Sequence, residues 1–141
     1  MNANGTSTTG FVFTLGGTPV SWFSKAQSTV ALSAAESEYL AATEAAKECV
    51  WLKQLLFDLG FPQGCITLYE DNEACIALSK NPQYHSKTKH IQLPYHFIRE
   101  KVAAKEMLMT YVNTKHQLAD IFTKGLSGHI MRSALESLNL Q

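Results

Sequence analysis

A long helix between Ser33 and Gly60 is the strongest structural signal in the sequence. Ser33 is followed three residues later by Glu36, which is the spacing of a capping box. Gly60 marks the helix end, Phe61 follows it at the usual place for a hydrophobic contact, and Pro62 prevents continuation. The second half carries an apolar stripe at helical spacing, formed by Leu52, Leu55, Leu56 and Leu59. We expect this helix to pack across a sheet.

The remaining elements predict that sheet and its other helices. Strand composition or alternation marks residues 11–15, 20–23, 66–70 and 107–112, and the first two flank the turn residues Gly16-Gly17-Thr18-Pro19. Helices are expected at 73–80, from about Pro94, at 114–122 and at 130–138. The third of these rests on Thr114 and Gln117, which repeat the capping signature. The order ββαβα(α)βαα indicates an α/β domain with a single mixed sheet flanked by helices.

Length and charge narrow the class of protein. The 141 residues fit one domain, which we place at 10–126 between a flexible segment 1–9 and a C-terminal helix and tail at 127–141. Twelve basic and twelve acidic residues give no global positive field, so any nucleic-acid function must come from a local patch or from metal ions. Cys49, Cys65 and Cys75 are widely spaced, which is typical of buried thiols in a reducing compartment. The sequence shows neither a membrane span nor a signal peptide, so we expect an intracellular protein, cytoplasmic or nuclear, that is not secreted.

Three acids are candidates for a functional site. Glu36 is used in the capping box, which leaves Glu38 without a structural role. Asp71 ends a strand, where open α/β sheets gather ligands, and Asp120 begins a helix after another strand. Converging carboxylates repel one another unless hard cations neutralise them, and two such ions would suit phosphodiester hydrolysis. The ordinary alternatives are a solvated helix acid, a helix cap and a helix-start charge, and spacing alone does not exclude them.

Several segments, in order along the chain, resemble the ribonuclease H region of copia-type retrotransposon Pol polyproteins. The resemblance spans about residues 5–138. It is carried by residues 7–17 (STTGFVFTLGG), 20–27 (VSWFSKAQ), 31–41 (ALSAAESEYLA), Asp71-Asn72, Asn81-Pro82, 85–91 (HSKTKHI), 95–100 (YHFIRE) and 117–124 (QLADIFTK).

This resemblance implies a fold, an activity and a set of site residues. The fold is a five-stranded, ribonuclease H-like sheet flanked by helices, and the activity is cleavage of the RNA strand of RNA–DNA hybrids during reverse transcription. Two Mg²⁺ ions, with Mn²⁺ as a substitute, would be held by four acids. By motif, three of these acids are Glu38, Asp71 and Asp120, which are also the candidates that the residues themselves gave. The implied partners are the hybrid and an upstream reverse transcriptase domain of the same polyprotein, in a virus-like particle or in the nucleus.

The fourth acid of the family has no counterpart in this sequence. In the family it lies on the first, central strand, just upstream of the Ser-Thr-x-Gly turn, and that position falls before Met1. Asn2-Ala3-Asn4 supplies no carboxylate. We therefore expect a domain without its first strand and with impaired activity. The alternatives are a non-catalytic, degenerate or domesticated fragment that at most binds nucleic acid, and an intact domain whose upstream strand lies outside this sequence.

Basic residues and histidines supply the remaining candidates. We interpret Lys87, Lys89 and Arg99 as a surface that contacts the phosphates of the hybrid. His116 replaces the acid or small polar residue usual in the family, and it either contacts phosphate or donates a proton, or is simply a solvated loop histidine. Zinc would need tighter ligand pairs than the sequence offers, so we expect the following histidines to diverge: His85, His90 and His96.

Overall fold

The computed structural model describes residues 6–28, 30–80 and 92–140. Its strands are β1 (Thr8–Leu15), β2 (Thr18–Ala26), β3 (Ile66–Glu70) and β4 (Met107–Tyr111). Its helices are α1 (Ala34–Asp58), α2 (Glu73–Lys80), α3 (Gln92–Ala103) and α4 (Gly128–Ser137), with 3₁₀ turns at Thr114–His116 and Leu118–Phe122. All four predicted strands are therefore present, and the hairpin strands run longer than the sequence indicated.

The strands form two small sheets, and the prediction of a single continuous sheet was wrong for the described residues. β1 pairs with β2 in an antiparallel hairpin, and β3 pairs with β4 in parallel, with Ile66 opposite Met107 and Glu70 opposite Tyr111. The two pairs are not hydrogen-bonded to each other, because a cavity of about 600 Å³ separates β1 from β3. The fold is thus mixed α/β, with both sheets packed on α1.

Both ends of α1 form as the sequence predicts. The Glu36 N–H donates to Ser33 Oγ at 3.1 Å, while Glu36 Oε2 accepts from the Leu32 N–H at 2.8 Å, one residue before the position that a capping box uses. At the other end Gly60 has φ +86°, a left-handed conformation that glycine adopts without strain, and the Phe61 N–H donates to the Leu56 carbonyl. Phe61 itself is exposed.

The core is built on the first half of α1 rather than on the predicted leucine stripe. Tyr39 is fully buried, and its ring lies 4.1 Å from that of Tyr95 on α3. The cluster around this pair comprises Ala42, Ala46, Cys49, Cys75, Ile76, Ile98, Met107 and Met109. In the described residues Leu55 and Leu59 of the stripe are exposed, because α1 extends past the elements that pack on it.

The segment after β4 is not the helix that Thr114 and Gln117 predicted. It forms two separate 3₁₀ turns, because Gln117 adopts an extended backbone between them. Asn113 caps the first turn and the Gln117 side chain caps the second. Asn113 has a short polar side chain that bonds to the nearby backbone, and this bond competes with the continuation of a helix.

Two smaller expectations were also tested. Cys49 and Cys75 are buried, but Cys65 is exposed because it lies in the connection before β3 rather than in an element. In the described part of the chain, no helix is long and apolar enough to cross a membrane.

Candidate acidic active site

The three acids selected from the sequence line the same cavity. Glu38 comes from α1, Asp71 from the end of β3 and Asp120 from the second 3₁₀ turn. The cavity also touches β1, so four separate parts of the chain meet around it. The structure therefore brings together residues that are up to 82 positions apart in sequence (from 38 to 120).

Glu38 is half-buried and is not a solvated helix acid. Burial, first, and the neighbouring carboxylates of Glu70, Asp71 and Asp120 together raise its pKa from the ordinary value of 4.5 to about 7. The Lys124 ammonium acts in the opposite direction and lowers this pKa. A carboxyl group whose pKa is raised this far by burial and by neighbouring acids is typical of functional sites.

Asp71 is free of the capping role that the ordinary interpretation gave it. The neighbouring Asn72 caps α2 instead, because its Oδ1 accepts from the Cys75 N–H at 3.1 Å. Asp71 thus lies between the end of β3 and the cap of α2, and its side chain lines the cavity.

The Asp120 turn is tied to both sheets. The Gln117 side-chain amide donates to the Tyr69 carbonyl of β3 at 3.1 Å, and the Ser24 hydroxyl of β2 donates to the Phe122 carbonyl at 2.6 Å. Lys124 Nζ forms an ion pair with Asp120 Oδ2 at 2.7 Å. These bonds set the position of Asp120 relative to the strand that ends in Asp71.

Glu70 is a fourth acid of this region that the sequence analysis missed. It is 7% exposed, and its Oε1 accepts from the Asn72 N–H at 3.0 Å. Burial raises its pKa, and the adjacent Asp71 adds to that increase, while the Asn72 N–H and the Cys75 thiol lower it. The signal was available, because strand alternation places Glu70 in phase with Ile66 and Leu68 on the inward side.

The carboxylate oxygens of the cavity are suitable ligands for a hard cation, although the described residues do not form a complete binding site. Carboxylate oxygens are the ligands that Mg²⁺ takes in proteins, and a cation would relieve the repulsion that raises the Glu38 pKa. Within residues 6–28, 30–80 and 92–140, however, no three His, Cys, Asp or Glu side chains lie close enough together to hold one ion. Asp120 is also already paired with Lys124.

The basic candidates are divided between the cavity and other surfaces. His116 is exposed and lies at the cavity, on the loop that precedes Asp120. Arg99 is on α3, outside the cavity lining, and its guanidinium lies 3.2 Å from His96 Nδ1. Four candidates lie outside the described residues, so neither the phosphate surface nor the divergence of the histidines is tested: His85, Lys87, Lys89 and His90.

Fold and cavity together define a class: a mixed α/β domain with a cleft between β1 and β3 that is lined by carboxylates where β3 ends. Similarity to curated proteins narrows this class further. The chain is 46% identical over 121 residues to the retrovirus-related Pol polyprotein from transposon TNT 1-94 of Nicotiana tabacum. It is 41% and 40% identical, over 122 and 125 residues, to those from transposons RE2 and RE1 of Arabidopsis thaliana.

These alignments show that the chain is homologous to a region of plant-transposon Pol polyproteins. Each covers 86% of this chain, but only 9%, 8% and 8% of the respective relatives. The chain thus spans less than a tenth of the length of the curated relatives it matches, which fits part of a multidomain polyprotein. No family model and no solved structure matches the chain.

Proposed function

We propose that this region is the ribonuclease H domain of a copia-type Pol polyprotein, which cleaves the RNA strand of RNA–DNA hybrids during reverse transcription. The observation that carries the proposal is the meeting of Glu38, Asp71 and Asp120 around one cavity. Homology to transposon Pol polyproteins supports it, because removal of the RNA strand is a step of the reverse transcription proposed for such a polyprotein. The upstream reverse transcriptase domain would be its neighbour in the same chain, within the cell.

Glu38, Asp71 and Asp120 would hold the divalent cations, Mg²⁺ or in its place Mn²⁺. When bound, a pair of such ions supplies an activated water and stabilises the leaving 3′ oxygen. Glu38 and Asp71 would help to hold one or both ions, and Asp120, which pairs with Lys124 in this structure, would hold the more weakly attached ion. His116, exposed at the cavity, would contact a phosphate of the hybrid or donate a proton. Lys87 and Lys89 would add phosphate contacts, with Arg99 further away.

A specific observation favours a second candidate, a non-catalytic remnant that at most binds nucleic acid. Among the described residues no three potential ligands meet at one point, and Lys124 occupies Asp120. A lost site would have this property, and so would an active site that lacks one contributing strand. Activity in a longer polypeptide distinguishes the two.

The test is cleavage of a labelled RNA–DNA hybrid by a protein that includes the polypeptide upstream of this region. Asp71→Asn, Glu38→Gln and Asp120→Asn should each lower Mg²⁺-dependent cleavage by at least about 100-fold, since losing even an outer-shell partner of a metal site costs up to that much. Asp58→Asn is the matched control, because Asp58 lies at the far end of α1 and its Oδ1 accepts from Gln54 on the same helix. Cleavage that survives Asp71→Asn, or that is absent from the longer protein, would contradict the proposal.

A further inference from the structure

A second, smaller cavity adjoins the acid-lined one, between α4 and the two 3₁₀ turns. Its volume is about 180 Å³, and we call it the α4 groove. One wall consists of residues 114–118 and Asp120, and the other is formed by Leu126 and α4. Residues 116–118 and Asp120 line both the groove and the acid-lined cavity. A ligand that passes over the Asp120 turn therefore reaches both spaces.

Both walls of the α4 groove are held by contacts away from it. Leu138, just after α4, is fully buried, and Asn139 Nδ2 donates to the Gly17 carbonyl of the hairpin at 2.9 Å. The opposite wall is tied to β3 by the bond from the Gln117 amide to the Tyr69 carbonyl. The groove is thus preformed, which lowers the entropic cost of binding a ligand.

The lining of the α4 groove is rich in hydrogen-bond donors. Hydroxyl groups come from Thr114, Ser133 and Ser137, an ammonium from Lys115, and an imidazole from His116 where the groove meets the cavity. The Ser137 hydroxyl donates to the Ser133 carbonyl of its own helix at 2.9 Å. Among the described residues, the Thr114 and Ser133 hydroxyls and the Lys115 ammonium have no hydrogen-bond partner. Donors of this kind bind anionic oxygens.

The charge on this side of the Asp120 turn is positive, although the whole chain is neutral. The residues that follow β4 include three basic residues and two acids, Asp120 and Glu136. Lys124 pairs with Asp120 at 2.7 Å, and Glu136 is exposed on α4 outside the groove lining. The charge of Lys115 in the groove is therefore not compensated by an adjacent acid, and it favours an anionic ligand.

We propose that the α4 groove binds a backbone phosphate of the nucleic-acid strand whose scissile phosphodiester lies at the acids. A strand carries one phosphate for about every 3.4 Å of helix axis, so its neighbouring phosphates follow the shared turn from the cavity to the groove. Lys115 and the hydroxyls of Thr114 and Ser133 donate to the phosphate oxygens. Such contacts position a strand without reading its sequence. This inference rests on the proposed function, because the strand is its substrate.

The salt dependence of binding tests the contact made by Lys115. A labelled RNA–DNA hybrid of about 20 base pairs, or two helical turns, is titrated with residues 1–141 in EDTA at several salt concentrations and followed by fluorescence anisotropy. Losing one phosphate contact should lower the slope of log K against log salt by about 0.9 in magnitude, so Lys115→Gln should show this change with at least about threefold weaker binding. Lys105→Gln is the matched control, since Lys105 is exposed before β4, at the opposite end of that strand. Absence of saturable binding, or equal slopes for the wild type and Lys115→Gln, would overturn the proposal.

Filling the groove tests the location of the phosphate without a change of charge. Ser133→Leu should weaken hybrid binding at least about fivefold, the effect of a lost hydrogen bond, and Ser133→Ala should weaken it less. Ser127→Leu is the matched control, because Ser127 is exposed at the start of α4, makes no side-chain cap bond and lies outside the groove lining. Circular dichroism checks that both leucine variants fold. Equal weakening by the two would contradict this location.

An acidic protein segment is the alternative occupant, because its carboxylates also accept hydrogen bonds. Poly-glutamate is therefore titrated under the same conditions. We expect it to bind more weakly than the hybrid and without dependence on Lys115. Binding as tight as that of the hybrid, with the same loss in Lys115→Gln, would assign the groove to a protein partner and refute the proposal.

The inference and the proposed function can fail separately, because binding in EDTA requires neither a metal ion nor cleavage. Binding that depends on Lys115, together with no cleavage by the longer protein, would support the phosphate contact and refute the ribonuclease activity. Cleavage by the longer protein, together with a salt slope that Lys115→Gln leaves unchanged, would refute the groove contact and leave the proposed function standing.

Discussion

Single residues of the site were predictable where local chemistry decides their role. Glu36 and Glu38 are two positions apart, and the capping box uses the first, so only the second remained for the cavity. Glu70 was missed because its burial depends on partners from another element. The Asn72 N–H and the Cys75 thiol reach it only once α2 has packed behind β3. Strand alternation predicts that the Glu70 side chain points inward, but local sequence rules do not predict a buried acidic side chain.

Glu38→Gln should remove a pH dependence of stability. The pKa of Glu38 is raised from 4.5 to about 7, chiefly by burial, so between these values the folded chain keeps a proton that the unfolded chain loses. Stability from this group is therefore complete below pH 4.5 and is lost as pH rises through about 7. We expect a loss of about 1–2 kcal/mol, after allowance for solvent screening of a half-buried group. Urea unfolding between pH 4.5 and 8 measures it, with exposed Glu44→Gln on the same helix as control. Equal slopes in the wild type and in Glu38→Gln would refute this assignment.

Elements were predictable from their ends and less so from their partners. Caps, glycine and proline marked α1, α2 and the strands, because those signals act within a few residues. The same reasoning did not predict the 3₁₀ turns after β4. Gln117 bonds to Tyr69 on a distant strand, and that tertiary bond holds it extended where a capping box would have made it helical. The hairpin is fixed to the same turn at Gly10, where close approach requires glycine.

Gly10→Ala should destabilise the contact between β1 and the Asp120 turn. A Cβ at this position would lie 2.5 Å from Thr123 Cγ2 and 3.0 Å from Phe122 Cβ, so the turn must shift. We expect a loss of about 1–3 kcal/mol, the usual cost of overpacking. Gly64→Ala is the matched control, because nothing lies within 4 Å of its added Cβ. Chemical denaturation of both variants measures the difference, and Thr123→Ala added to Gly10→Ala should recover part of it. Similar losses in the two glycine variants would contradict a specific contact.

At the scale of the whole molecule, the helices and strands were largely predictable from the sequence, but their arrangement was not. Both strand pairs pack on α1, but the continuous sheet is interrupted at the cavity. Periodicity identifies a strand and its buried face, while pairing depends on which edges meet, and that is decided by long-range contacts. The ligands that the acids at the end of the cavity can offer a metal ion also depend on long-range contacts. A strand between β1 and β3 would change both the sheet and the number of ligands.

Residues 1–141 alone should show little or no Mg²⁺-dependent cleavage of an RNA–DNA hybrid. Mg²⁺ requires near-octahedral oxygen ligands, and the described residues bring no three potential ligands together. An upstream extension that places an Asp-bearing strand between β1 and β3 should recover cleavage, and Asp71→Asn in that longer chain should abolish it. The same extension with Asn in place of Asp is the matched control. It should raise the free energy of unfolding and the urea m-value, because more surface is buried, without restoring cleavage. Gel-resolved cleavage with Mg²⁺ and with EDTA measures activity, and robust, EDTA-sensitive cleavage by the unextended chain would show that the acids it holds are sufficient.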